Sequence, residues 1–224
     1  MKVRCLLVAS ALAGLLAISA TGATAAVVFD FGVGPNGVVT PSWAGNQGVT
    51  DTYTISGQSL TATAFGPNSD QLFGKNGGGD ENGLGMTNDP SGENEIYFGK
   101  GFIQLDVSLL TGALQLAFNS TTAGEQWTVY GSNSAGVLGS ATLPGSIFLI
   151  GSGTTETTQN LTGGYKYYDV LSTVAAGGDN GGNVLIKSLT VSVPEPASWG
   201  LMIVGVLGIG AVLRQRRRNA LSAA

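Results

Sequence analysis

From Ile103 to Asn119 apolar and polar residues take turns. Ile103, Leu105, Val107 and Leu109 alternate with Gln104, Asp106 and Ser108; beyond Leu110-Thr111-Gly112, Leu114, Leu116 and Phe118 alternate with Gln115, Ala117 and Asn119. A period of two places every second side chain on one face of a strand, so the pattern predicts a hairpin with one buried and one wet face. The same rule picks out VVFDF, DTYTIS, SLTATAF, EIYFG, EQWTVYG, SIFLI, YKYYDVL and NVLIKSLTVSV. Glycine and asparagine clusters punctuate these runs, and no stretch between them has a sustained helical period. Ten or so short strands without helices must bury their apolar faces against one another, as two packed antiparallel sheets or a barrel. The expectation is an all-β body, an antiparallel jelly-roll-like β-sandwich. A parallel β-helix is the main rival, but it requires a fixed repeat that the chain does not show.

The N-terminus, MKVRCLLVASALAGLLAISATGATAA, has a short basic start (Lys2, Arg4), an apolar run to about Ala20, and then small residues. That is the order of a secretory signal peptide, so residues 1–26 are expected to be removed, with cleavage just before Ala26 or Val27. The lone cysteine, Cys5, precedes the apolar run and is badly placed for lipidation; the mature chain then has no cysteine. Disulfides, thiolate nucleophiles and cysteine metal sites are thereby excluded, and the exported domain, residues 27–193, must be held by its own core. Its charged residues are thirteen Asp plus Glu against Lys75, Lys100, Lys166 and Lys187, a balance of 4 − 13 = −9. Such a surface repels nucleic acid and anionic lipid.

Several short motifs can be tested against chemistry. Gly32-Val33-Gly34-Pro35-Asn36-Gly37 fits the dinucleotide-binding string, yet Pro35 and the following VVTPSW cannot open a phosphate-binding helix. The chain has no histidine, which removes Ser-His and His-metal chemistry, and no G-x-S-x-G elbow. The segment GGGDENGLGMTNDPSGENEI, Gly77 to Ile96, crowds Asp80, Glu81, Asp89, Glu93 and Glu95 into what reads as a loop without a basic residue, with Asn82, Asn88 and Asn94 adding neutral oxygens. Hard oxygen ligands on a bent backbone suit calcium, at about 6 to 8 oxygens per ion, so Asp80, Glu81, Asn82, Asp89, Glu93 and Glu95 are the candidate calcium ligands. The spacing is not that of an EF-hand, because Leu84 falls where a side-chain ligand is needed. A solvated polar loop explains the same composition. GGDNGGN, Gly177 to Asn183, is a second candidate with Asp179 as its one charge. The carboxylates could instead serve as the acid and base of a glycosidase, but no feature buries one preferentially. Trp43, Trp127, Tyr165, Tyr167 and Tyr168 could stack on sugar rings, with Tyr165 and Tyr167 on one face of a strand and Tyr168 on the other; core packing explains at least one set.

The chain closes with PEPASWGLMIVGVLGIGAVLRQRRR. Two prolines two apart predict an exposed extended joint. Trp199 to Leu213 is apolar or glycine throughout and, counted with Ala197 and Ser198, reaches the low end of about 17 to 25 residues for a membrane-spanning helix. Arg214, Arg216, Arg217 and Arg218 then form a basic membrane stop expected to stay cytoplasmic, with the body outside. This stretch resembles a PEP-CTERM sorting signal of the form PEP, two residues, Trp-Ala: Pro194, Glu195, Pro196 and Trp199 match, and Gly200 stands where alanine is usual. The resemblance implies a Gram-negative protein held in the inner membrane by its tail until an exosortase-type protease-transpeptidase processes it. It also implies a setting of exopolysaccharide and biofilm.

The expected division is therefore a signal peptide at 1–26, a β-sandwich at 27–193, a sorting signal with transmembrane helix and arginine cluster at 194–218, and a short cytoplasmic tail at 219–224. The functional expectation is an exported, non-catalytic surface or matrix protein, with extracellular polysaccharide as a partner. The alternatives are a carbohydrate-active hydrolase using two carboxylates and a glycan-binding module.

Overall fold

The computed structural model describes residues 24–32, 44–67, 69–87, 89–99, 101–121, 125–137, 147–174, 182–194 and 196–221. Most of the expected signal peptide, Trp43, Asn88, Asp179 and Glu195 lie outside these. The chain divides into a compact body, Ala26–Val193, and a second unit that contains the segment from Pro194 onward.

In chain order the strands are β1 (Thr24–Asp30), β2 (Gly45–Gly48), β3 (Thr50–Ile55), β4 (Gln58–Phe65), β5 (Leu72–Asn76), β6 (Asn82–Met86) and β7 (Ile96–Tyr97). There follow β8 (Phe102–Asp106), β9 (Ala113–Asn119), β10 (Glu125–Ser132), β11 (Ile147–Gly153), β12 (Thr158–Leu161), β13 (Tyr167–Val174) and β14 (Asn183–Pro194), and then the helix α1 (Pro196–Leu221). One sheet runs β12-β9-β14-β6-β5-β2, with β1 and β7 also pairing β14; the other runs β11-β10-β13-β8-β4-β3. Side chains of both sheets meet in one core: Leu84, Leu116, Phe118, Ile186 and Leu189 from the first, Leu60, Ile103, Leu105, Val129 and Val170 from the second. Phe118 stacks on Trp127 across that core at a centroid distance of 4.3 Å. Burying a side chain such as Phe29 or Phe118 contributes about 1.5–3 kcal/mol. The body is thus an all-β, antiparallel sandwich.

Two details depart from the sequence pattern. β8 and β9 do not pair as a hairpin: β8 lies between β13 and β4, whereas β9 lies between β12 and β14 in the other sheet. Alternation sets which face a strand buries and leaves its partner open, so both strands satisfy the pattern by facing the same core from opposite sides. The link between them passes through Gly112, at φ 136°, where an added Cβ would come within 2.2 Å of the Ser192 carbonyl. The outer face of β8 is not wet either, because Gln104 is buried.

The second departure is β6, which lies within the acidic segment expected to be a loop. NGLGM has no alternation to read, yet it forms a buried strand between β5 and β14. Its glycines are required by close approach. A Cβ on Gly85 would meet the Asn94 carbonyl at 2.1 Å, and one on Gly83 would meet the Ile186 carbonyl at 2.8 Å.

The aromatic residues also resolve into packing. Trp127 and Tyr168 are buried, and Trp127 donates through Nε1 to the Thr155 carbonyl at 3.0 Å. Tyr165 precedes β13 and packs edge-on against Tyr168 at 6.1 Å, so it does not share a strand face with Tyr167.

Candidate functional site

Of the six candidate calcium ligands, the structure brings three together, and it brings them together around a lysine. Lys75 Nζ, on β5, donates to Glu81 at 2.5 Å, to Glu93 at 3.3 Å and to the buried Glu95. Each carboxylate arrives by a local device. Glu81 closes the β5–β6 turn through backbone bonds between Gly77 N–H and its carbonyl (3.1 Å) and between its own N–H and the Gly78 carbonyl (3.2 Å). Glu93 and Glu95 are carried by the segment after β6, which Asp89 folds on itself: its Oδ1 accepts from Ser91 N–H at 2.8 Å and its Oδ2 from Ser91 Oγ at 2.7 Å and Glu95 N–H at 3.3 Å. Asx turns of this kind replace backbone pairing with a side chain. From the far side Ser120 Oγ reaches Glu95 at 2.9 Å and Glu81 at 3.2 Å, with Ser120 itself held at φ 54°.

The remaining candidates do other work. Asn82 Oδ1 accepts from Gly78 N–H at 2.8 Å, and Asp80 is exposed while its carbonyl accepts from Ser120 N–H at 3.2 Å. The cation at the centre of the cluster is therefore the chain's own ammonium. Among the described residues no group of three or more carboxylates that could hold a metal ion is found; in this structure the charge facing Glu81, Glu93 and Glu95 is the Lys75 ammonium.

Sequence reasoning missed Lys75 and Ser120. Lys75 sits two residues ahead of the acidic segment, and its scarcity was the available signal, since only four lysines face thirteen acids in residues 27–193. No sequence signal points to Ser120.

The electrostatics follow from burial. Burial acts to lower the Lys75 ammonium, but its hydrogen bonds to Glu81 and Glu95 and their charges outweigh it and hold the lysine above its usual range. The hydrogen bond from Lys75 holds Glu81 below the usual carboxylate range. Burial pushes Glu95 up to about 7, and a hydrogen bond shared with Glu81 acts in the same direction. Of the two carboxyls, Glu95 is therefore the one that takes up a proton first as pH falls.

This arrangement makes stability depend on pH. Glu95 is raised in the folded state, so its contribution is complete below about 4.5 and is lost as pH rises through about 7. Glu81 is lowered, so its contribution is present above 4.5 and is lost in acid. The body is expected to be most stable between these limits and to lose on the order of 2 kcal/mol between pH 6 and 8.5. Glu95→Gln, which cannot ionise, should make that fall shallower by the Glu95 share and leave the share of Asp169, which burial also raises to about 7. Thermal unfolding of both proteins across the range checks this, and equal slopes would count against it.

The tail supplies the second set of candidate residues. Pro194 ends β14 and Pro196 opens α1, with Glu195 between them outside the described residues. The prolines therefore stand at the end of a strand and at the start of a helix, whose first position suits proline. Trp199, Arg214, Arg216, Arg217 and Arg218 all lie on α1, which continues past the arginines to Leu221, so the expected separate tail at 219–224 begins as helix. Arg218 in the last turn complements the helix dipole. Among the described residues no helix is long and apolar enough to cross a membrane. The run Trp199 to Leu213 rises roughly 22 Å at 1.5 Å per residue, short of a hydrocarbon core of about 30 Å.

Fold and tail together define an all-β body that carries a C-terminal sorting signal. Residues 192–218 match the PEP-CTERM protein-sorting motif, so this chain bears that motif at its C-terminus. No curated protein and no solved structure matches the chain. The motif supports export through an exosortase-type system and implies processing by an exosortase-type membrane enzyme.

Proposed function

We propose that the protein is an exported, non-catalytic β-sandwich that is anchored transiently in the inner membrane by α1 and then released to the cell surface or extracellular matrix, where it associates with polysaccharide. The observation that carries this reading is the sorting motif at residues 192–218. The marginal apolar length of α1 suits a temporary anchor: a short stretch is accommodated by local thinning of the bilayer and by arginines that snorkel to the interface. Arg214, Arg216, Arg217 and Arg218 keep the helix end cytoplasmic and the body outside.

Two features support a non-catalytic body. Glu81 and Glu95 converge on the same Lys75 ammonium and the same Ser120 hydroxyl, whereas hydrolases keep their two carboxyl groups about 5 to 9.5 Å apart with room for a sugar or water between them. Lys75 also occupies the space between the carboxylates. The aromatic residues Trp127 and Tyr168 are committed to the core.

Intact mass of the protein recovered from its host tests the sorting route. The expected mass lacks the N-terminal residues up to Ala25 or Ala26 and shows a tail cut or exchanged near Pro194. In a strain without its exosortase-type enzyme the tail should remain intact and the protein should stay with the inner membrane. An unprocessed tail in the normal host would refute the route.

A further inference from the structure

We propose that Asp169 is an acid latch: with a neutral carboxyl it holds the segment Ser132–Val137 against the outer face of the six-stranded sheet, and its ionisation loosens that segment and bares Phe65 and Phe102. Asp169 lies on β13 between Tyr130 of β10 and Gln104 of β8. Its neighbours Tyr168 and Val170 enter the core, so Asp169 points to the opposite face, where a carboxyl would ordinarily meet water. It is nevertheless 0% exposed. What covers it is the chain after β10. Gly136 N–H donates to Gln104 Oε1 at 3.0 Å, and Gln104 Nε2 donates to Asp169 Oδ1 at 2.8 Å while facing the Ser134 carbonyl at 3.5 Å. Ser132 Oγ folds the same segment, accepting from Ser134 N–H at 3.0 Å. Gly136, at φ 70°, passes directly over the Phe65 ring, which is stacked on Phe102 at 5.0 Å.

The latch is incomplete in a telling way. Asp169 Oδ2 is buried without a hydrogen-bond partner among the described residues, and no ion pair among them involves Asp169. The groups on the same face of the surrounding strands are Tyr130 and Thr128 on β10, Gln104 and Asp106 on β8, Thr63 on β4 and Tyr167 on β13; Ser132 and Ser134 face it from the covering segment. None of them is a cation. A neutral carboxyl tolerates that position, whereas a buried, unpaired carboxylate requires water. The core lies on one side, so among the described residues it is the covering segment that water must displace to reach the carboxyl. Burial pushes the carboxyl up to about 7, the Gln104 hydrogen bond opposing it. The raised value means the closed form holds in acid and is lost as pH rises through about 7.

Hydrogen exchange of the full-length chain in detergent micelles tests this. After correction for intrinsic rates, the amides of residues 133–137 should exchange at least tenfold faster at pH 8 than at pH 5.5, while those of Val129 and Leu171 stay protected. In Asp169→Asn, which keeps the acceptor for Gln104 and cannot ionise, protection of 133–137 should persist at pH 8. Protection of the wild type that does not change with pH, or the same loss in Asp169→Asn, overturns the proposal. Should the variant not fold, the carboxyl carbon of Asp169 followed by NMR in the wild type decides: its titration must coincide with the exchange transition, and an ordinary midpoint near about 4 overturns the latch.

Discussion

Lys75→Met is expected to lower the unfolding free energy of the body by about 3 kcal/mol at pH 8, the range found when one partner of a buried pair is removed and the other is left behind. Methionine keeps the buried stem, so the loss reports the ammonium and not a cavity. The Lys75 side chain is 11% exposed and that of Glu95 2%, against 42% for Glu81 and 61% for Glu93. Glu95 therefore dominates the effect, and solvent screens the other two. At pH 5.5 the cost should shrink, because Glu95, raised to about 7, is already protonated there and leaves no buried charge behind when the ammonium is removed. The variant also separates the two readings of the acidic cluster. With Lys75 gone, Glu81, Glu93 and Glu95 form an uncompensated oxygen site, and millimolar calcium should restore stability as RT ln(1 + [L]/Kd), about 2.7 kcal/mol at a hundredfold excess over Kd. The wild type should show no such gain. Calcium stabilisation of the wild type, abolished by a chelator, would return the cluster to the metal.

This cluster shows where legibility in the sequence ends. The acidic residues were visible because five carboxylates fall within sixteen positions, Asp80 to Glu95. Their counter-ion was not, since Lys75 reaches Glu95 across the β5–β6 turn and Ser120 arrives from the end of β9. Convergence of this kind depends on register, and register depends on which strands are neighbours. The alternating runs of β4, β10, β13 and β14 were legible for the opposite reason: a half-buried strand writes its inward face into every second residue. β6 left no such trace, because Gly83 and Gly85 are there for what their missing side chains allow, the close passage of β14 and of the Asn94 backbone. β2 and β12 are short and mostly polar, and a polar edge strand looks like a loop. Alternation along YKYYDVL puts Asp169 on the face opposite Tyr168; the segment that covers it could not be seen from the alternation.

Deleting Pro194–Ala224 is expected to leave the body's unfolding transition within about 0.5 kcal/mol of the full chain, the usual range for changes away from buried contacts, and to move the protein from the membrane fraction to the periplasm. The argument rests on where the core ends. Among the described residues, every side chain of the core or packed against it lies between Val27 and Val193, and the body is compact over Ala26–Val193. β14 keeps its pairings with β9, β6 and β7, whose described registers end at Ser192. The tail has a different task. Its apolar run is too short to cross comfortably without help, so its hold on a bilayer should depend on the arginines that follow. Replacing Arg214, Arg216, Arg217 and Arg218 by glutamine should therefore release part of the protein and scramble its orientation while leaving the melting temperature of the body unchanged. Circular dichroism, thermal unfolding and cell fractionation of the two variants beside the full chain make the comparison. A truncated body that fails to fold, or a charge-free tail that is retained as firmly as the native one, would show that the helix serves the fold or the membrane by some means other than its apolar run and basic stop.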